Sequence, residues 1–334
     1  MEGVSAAPPE PPCARHSPPI PPTSVGSYCI FQEPWWLDAV APGSWRSLEL
    51  SRGGGLIARM PIVYSRKYGL RVIREPPLTP TLGPWIRSSH ASRSKRMAEE
   101  KEIFTQLIDQ LPSTDYLQIN LNHRISNWLP FYWRGFDQTT RYTYILSDIS
   151  DMEMVWRGLQ ESVRRNIRKA KRQVFVRTDP QLDRLLDLVE RTFTRQDRRL
   201  PFRRDLLYRI DQACAARNSR QMLFAEDAAG RVHAAAYLVL DAEFVYYLTG
   251  GAEPELRGSG AQNLLLWEAI AMASRLGLKF DFEGSMVESI ERVFRAFGAA
   301  QIPYLRVYRA NPVVKALLAS APPGLTTRLA GYFG

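Results

Sequence analysis

The stretch from Tyr246 to Ser285, YYLTGGAEPELRGSGAQNLLLWEAIAMASRLGLKFDFEGS, constrains the fold more than any other part of the chain. Phe244, Tyr246 and Leu248 alternate with other residues, the period of a half-buried strand. Gly250 to Gly260 carries four glycines and a proline and reads as a loop. Leu264, Leu265, Trp267, Ala269, Ile270, Ala273 and Leu276 then recur at helical spacing, and Gly277 stands where a helix C-terminal glycine belongs. Leu278, Phe280 and Phe282 alternate again before Gly284. A strand, a glycine-bearing loop and a helix in this order present backbone N–H groups at the helix start, where an anion binds readily.

The rest of the chain must accommodate that unit. Its 334 residues exceed one typical domain, so two are expected. With 45% hydrophobic and 23% charged residues it is a soluble globular composition, and no apolar run approaches the roughly 20 residues of a membrane helix. Eight prolines between Pro8 and Pro22, with neither a basic nor an apolar region before them, predict a disordered tail over 1–26 rather than a secretory signal. Cys13, Cys29 and Cys214 are few and scattered, which suits reduced thiols in a cytoplasm, and the four histidines form no metal-ligand pattern with them. No metal is therefore expected. A net charge of +10 favours an anionic partner: a nucleic acid, a nucleotide, a phosphorylated sugar or a membrane surface.

Pro34 to Val40 reads as a short helix, Trp45–Leu50, Leu56–Tyr64 and Leu70–Ile73 as strands, and Pro76 to Trp85 as a rigid apolar loop suited to a cleft wall. Arg93–Leu111 is a helix with Met97, Ile103, Phe104, Leu107 and Ile108 inward, and Tyr116–Leu121 and Arg141–Leu146 are strands. The segment ESVRRNIRKAKRQ sets six cations (Arg164, Arg165, Arg168, Lys169, Lys171, Arg172) around Val163, Ile167 and Ala170, an amphipathic helix without balancing acids and a candidate phosphate- or RNA-contacting surface. Two helices, a hairpin, the focal stretch, a helix over Val287–Ala296 and a strand over Tyr304–Tyr308 follow, with a terminal helix from Val313. The expected division is 1–26 tail, 27–148 first unit, 149–310 second, donor-binding unit, and 311–334 helical extension. The fold class is α+β, with mixed central sheets flanked by helices.

The loop PPLTPTLGPW, the helix ESVRRNIRKAKRQ, the segment TFTRQDRRLPF, and LLLWEAIAMASRLGLKFDFEGS followed by RAFGA resemble, in this order, the FemAB-like branch of the GNAT acyltransferase superfamily over roughly Phe31 to Arg309. The resemblance implies two tandem GNAT-type domains around a cleft. It also implies acyl transfer from a carrier to an amine or hydroxyl, on an amino-sugar, polysaccharide or peptidoglycan-type precursor. The donor is acyl-CoA (acetyl-CoA first) or aminoacyl-tRNA, and peripheral membrane contact is a further partner. Nothing between Leu182 and Ala216 is long enough for the coiled-coil arm of the tRNA-dependent members, which favours acyl-CoA. The family's acyl-CoA motif, Gln/Arg-x-x-Gly-x-Gly/Ala, is met by Arg257 and Gly260, with Gln262 where a small residue is expected. Arg257, Gly258, Gly260 and Asn263 are thus the donor-binding candidates.

Acyl transfer needs a group to accept the nucleophile's proton. Asp281 and Glu283, two apart on a strand and so on one face, are the general-base candidates. Tyr247, beside the loop, is a candidate to protonate a leaving thiolate, and Arg295 matches a position commonly lysine in the family. No Ser-His-Asp or Cys-His grouping emerges, so direct attack without a covalent intermediate is expected. Arg165, Arg168 and Lys169, with Trp36 and Trp85, are the substrate-binding candidates. The alternatives are an aminoacyl-tRNA-dependent transferase of peptidoglycan bridges and a non-catalytic module binding RNA or another polyanion through Arg164 to Arg172.

Overall fold

The protein, seen in a computed structural model, is described over residues 23–320. Residues 1–22 of the expected tail and 321–334 of the expected extension lie outside the described residues. In chain order the elements are α1 (Pro34–Val40), β1 (Trp45–Arg52), β2 (Gly55–Lys67), β3 (Leu70–Ile73), β4 (Trp85–Ile86), α2 (Arg93–Asp109), β5 (Tyr116–Asn120), α3 (Leu129–Tyr132) and β6 (Asp137–Leu146). They continue as α4 (Met152–Gly158), α5 (Glu161–Ala170), β7 (Phe175–Thr178), α6 (Leu182–Arg195), α7 (Arg204–Ala215), β8 (Arg220–Glu226), β9 (Val232–Leu240) and β10 (Phe244–Ala252). After a 3-10 turn over Pro254–Ser259 come α8 (Ala261–Arg275), β11 (Lys279–Asp281), α9 (Glu288–Ala296), β12 (Ala300–Ala310) and α10 (Pro312–Ser320).

The two central sheets expected for tandem units are joined edge to edge. One mixed sheet runs β1-β2-β3-β5-β12-β6-β11-β10-β9-β8-β7, with β4 on the flank of β2. The seam is at β6 and β11, where Phe280 pairs with Leu146 and Asp281 with Ile145. β12 comes last among the strands yet lies between β5 and β6, pairing Val307 with Ile119 on one side and Ile302 with Thr143 on the other. β9 is buried along its whole length, as a strand covered on both faces requires. One face is covered by α4, α5, α8 and α9 around Ile167, Leu265, Ile270 and Phe282. The opposite face of the same strands is covered by α1, α6 and α7 around Trp36, Leu185, Leu207 and Tyr237.

Local sequence explains most elements. α5 buries Val163, Ile167 and Ala170 at spacings of four and three, one stripe of a 3.6-residue period. α8 buries Leu264, Leu265, Leu266, Ala269, Ile270 and Ala273, and closes with Gly277 N–H on Ser274 O and Leu278 N–H on Ala273 O, a Schellman closure.

Two expectations need correction. Gly250 and Gly251, read as loop, continue β10 and pair with Ala236 and Ala235. The glycines serve close packing there: a Cβ on Gly251 would run into the Leu188 backbone of α6. Met97, read as inward, is 49% exposed, because the buried side of α2 begins only at Phe104.

Candidate functional site

β10 and β11 run parallel and pair at Phe244↔Lys279, Val245↔Phe280 and Tyr246↔Asp281, and there the pairing stops. β10 continues to Ala252, with a register shift between Tyr247 and Thr249 on its other side, while the chain after Asp281 turns away. Glu283 makes the turn at φ +56°, a left-handed conformation that costs a non-glycine residue energy and is held by its surroundings. The strand that was to carry both carboxylates therefore ends at Asp281. Asp281 and Glu283 nevertheless meet, because the turn brings Glu283 back to the same cavity.

That cavity, about 30 Å³ and large enough for one or two waters, is walled by both halves of the molecule. The first half contributes the segment around Tyr28, Cys29 and Phe31, the loop residues Pro80 and Thr81, Asn122 to Arg124, and Thr143. β10, β11 and β12 contribute Phe244, Tyr246, Asp281 and Tyr304. Thr143 Oγ1 donates to Asp281 Oδ1, as does the Glu283 backbone N–H at 2.8 Å. Burial pushes the Asp281 carboxyl up to about 6 and raises Glu283 well above the usual carboxylate range, with the charge of Asp281 adding to the rise at Glu283 and that of Asp241 adding to both. A third buried acid, Asp241, accepts from Tyr246 Oη at 2.9 Å. Burial also raises the Cys29 thiol, so it stays protonated and is no nucleophile.

A second cavity of about 240 Å³ adjoins the first, sharing Tyr28 and Arg124 with it. Its walls carry Ser88, Ser89 and Asn127 with charges of both signs, Arg96 and Glu99 among them. Arg124 is ion-paired with Glu243 and lies over the Tyr28 ring at 5.5 Å, so it stands between the two spaces.

The donor-binding candidates lie on the other face of the sheet. Gly260, at φ +79°, sits so close to α5 that a Cβ would lie 2.5 Å from Asn166 O, and Asn166 Nδ2 reaches Asn263 Oδ1 at 3.4 Å. α5 thus crosses the start of α8, whose N-cap residue Gly260 has no side chain and whose first N–H, of Ala261, donates to Ser259 Oγ at 3.3 Å. Arg257 and Gly258 are exposed in the turn before it. This arrangement places α5 against the donor loop through Asn166, while Arg168 lies over the Trp156 ring at 5.7 Å. The helix is less unbalanced than expected, because Arg164 and Arg168 both pair with Glu161 of its own first turn, at 2.9 and 3.1 Å. Arg165, Lys169, Lys171 and Arg172 remain exposed, without an ion-pair partner among the described residues.

Tyr247 points to this second face, where it is hydrogen-bonded to Gln262, the residue that departs from the motif. Burial pushes its hydroxyl up to about 12, so it is protonated at neutral pH. Arg295 is not brought to either place: it lies exposed on α9, paired with Glu291 at 2.9 Å. Trp36 is completely buried, edge-on to Phe31 and bonded through Nε1 to Thr79 Oγ1, and so belongs to the core rather than to an open groove. Trp85 is half-buried on β4, 6.4 Å from the Tyr28 ring. Sequence reading missed Asp241, Thr143, Tyr304 and the segment around Tyr28. These residues meet only through the order of strands. One local signal existed for Asp241: an Asp three residues before the start of β10, where a side chain can cap a turn.

Residues 157–286, which contain the Asp281 carboxylate and the α5–α8 corner, match the family model described as an acetyltransferase (GNAT) domain. No curated protein matches the sequence. Among solved structures the fold is similar to that of FemX, with a TM-score of 0.63 at 13% identity, covering 83% of this chain and 92% of that one. It is also similar to L-PGS from Bacillus licheniformis (TM-score 0.51, 13% identity, 89% and 91% covered). A tandem GNAT protein from the clavulanic acid biosynthesis pathway has a TM-score of 0.50 at 9% identity, with 86% and 89% covered. Residues 157–286 therefore carry a domain of the GNAT acetyltransferase type. The fold of the described chain is shared with FemX and with the tandem GNAT protein.

Among the described residues no helix is long and apolar enough to cross a membrane. No group of three or more His, Cys, Asp and Glu side chains among them could hold a metal ion.

Proposed function

We propose that the protein transfers an acyl group, acetyl first among candidates, from acyl-CoA directly to an amine or hydroxyl of an amino-sugar, polysaccharide or peptidoglycan-type precursor. In this reading 27–148 and 149–310 are the two GNAT-type units, with β12 lent by the second to the first, and the work is cytoplasmic. The observation that carries it is the pair of buried Asp281 and half-buried Glu283 at the point where β10 and β11 part. A carboxylate with its proton affinity raised toward neutrality is suited to take the proton of an attacking amine or hydroxyl.

The parting strands support the donor's place. Beyond Tyr246 the β11-facing side of β10 has no strand partner, and its backbone groups suit the amides of an extended carrier. The start of α8, with the exposed cations Arg165 and Lys169 on the helix that crosses it, suits the carrier's phosphates. When the acceptor attacks the thioester carbon, its proton passes to the Asp281–Glu283 pair. The C–S bond breaks, and the leaving sulfur takes the Tyr247 proton. The acceptor reaches the pair from the larger cavity past Arg124, whose mixed-charge, hydroxyl-rich walls suit a polar ring. The short connection between α6 and α7, residues 196–203, favours acyl-CoA over aminoacyl-tRNA as donor, since it leaves no long arm there.

Calorimetric titration with acetyl-CoA and free CoA at moderate salt tests the reading. Micromolar binding that weakens on Arg165→Ala with Lys169→Ala supports it. Absence of binding, with salt-sensitive tRNA binding in its place, moves the protein to the aminoacyl-tRNA donor or to a plain polyanion module, and a transfer assay separates those two.

A further inference from the structure

The segment 24–33 crosses from the first half to the second and forms one wall of the carboxylate cavity through Tyr28, Cys29 and Phe31. Its fastening to the first half is extensive. Arg59 Nη1 donates to Gln32 O at 2.8 Å, Ser27 Oγ at 3.2 Å and Gly26 O at 3.3 Å, and Gln32 Nε2 donates to Leu82 O and Gly83 O. Toward the second half it relies on Ile30 N–H, which donates to Asp241 Oδ2 at 3.0 Å, and on Phe31 packed edge-on against Tyr246 at 5.0 Å.

Asp241 itself is 5% exposed and accepts four hydrogen bonds. Oδ1 takes Glu243 N–H and Phe244 N–H, each at 2.9 Å, and Oδ2 takes Ile30 N–H and Tyr246 Oη. A carboxylate offers about four acceptor sites, so all are occupied. Protonating Asp241 would displace one of these donors, and only the ionised form satisfies all of them.

We infer that Asp241 is a positioning residue of the transfer site: it clamps segment 24–33 and the Tyr246 hydroxyl to the β9–β10 turn, and sets its own negative charge behind Asp281 and Glu283. The clamp holds the cavity wall closed. The charge raises the proton affinity of the pair, which is the direction a base needs. The other polar and charged groups around the pair come from each neighbouring element: Cys29, Thr143, His123 and Arg124, Tyr246, and Tyr304 with Arg141 behind it. Glu243, beside Asp241, is already paired with Arg124 and Lys279. This inference rests on the carboxylate pair being the base, but the clamp can be read without any activity.

Asp241→Asn retains the shape, removes the charge, and cannot accept from both donor pairs at once. In hydrogen exchange of the full chain, the Ile30 amide should exchange at least tenfold faster in Asp241→Asn than in wild type, while the Thr143 amide keeps its rate. The acid limb of the kcat/KM profile should move to lower pH by about one unit, since a removed negative charge weakens proton binding at the pair. Tyr246→Phe, which keeps the charge, should leave that limb in place.

An unchanged Ile30 rate overturns the clamp. A limb that stays put in Asp241→Asn, or moves equally in Tyr246→Phe, overturns the electrostatic role. If Asp241→Asn does not fold, wild type still decides: an Ile30 amide as slow as Val245 of β10 supports the clamp, and exchange at a loop rate overturns it. Should the protein transfer no acyl group, the proposed function fails while the exchange result stands.

Discussion

The carboxylate cavity and the α5–α8 corner lie on opposite faces of one sheet and are built in opposite ways. The cavity holds Asp281 and Glu283 in its wall with Asp241 close by, Asp241 and Asp281 buried and Glu283 half-buried. The corner displays cations from one helix and leaves them in water. Burial multiplies an electrostatic effect whereas solvent screens it, so single changes in the cavity should be felt as chemistry and single changes at the corner as modest affinity.

The sharpest test is Glu283→Gln with Asp281→Asn. Loss of a general base costs about 10²–10⁴ in rate, and each variant should lose activity on that scale while calorimetric acetyl-CoA binding holds. Equal loss of binding would erase the distinction between the two regions.

A second test concerns the corner's geometry. Gly260→Ala should destabilise the protein by about 1–3 kcal/mol, because its backbone is left-handed and Asn166 O blocks the new methyl, whereas Gly258→Ala, with open space around it, should be neutral in thermal unfolding.

Stability against pH sharpens the cavity side. Asp281 has a folded-state proton affinity above its unfolded value, so its contribution is fully present below about pH 4 and is lost as pH rises through about 6. Asp281→Asn should therefore melt several degrees above wild type at pH 8, and the gap should shrink at pH 5. A carboxylate held ionised against its own burial is destabilising at neutral pH.

Arg165→Ala and Lys169→Ala should each weaken donor binding by a few-fold, less so at high salt, with kcat unchanged. The smallest effect belongs to Arg295→Ala. Exposed and paired with Glu291, it should leave both kcat and donor affinity at wild-type values in the same assays.

How much of this was legible in sequence follows from how local each feature is. The helices α5 and α8 announce themselves because one buried stripe repeats every 3.6 residues, and the pairing of Arg295 with Glu291 was there to read at a spacing of four. The meeting of Asp281 and Glu283 was legible for the wrong reason: alternation along a strand was expected, and a left-handed turn supplies it. The glycines at 250 and 251 signal a loop by composition, and only the approach of α6 explains them as strand. Trp36 looked available because a tryptophan pair near the chain start has no partner in view, and its partner Thr79 is 43 residues away. Asp241 acts through Ile30, 211 residues earlier, a distance no spacing rule spans.

The place of β12 between β5 and β6 has a consequence for how the protein is made. The first half cannot be completed when it leaves the ribosome, since the strand that fills the gap is the last of the twelve to be synthesised. At translation speeds of about 5–20 residues per second, residues 147–299 take roughly 8–30 s, during which β5 and β6 present unsatisfied edges. A nascent chain in that interval is a client for whatever shields strand edges, and the second half, arriving with β12, is in effect the first half's chaperone.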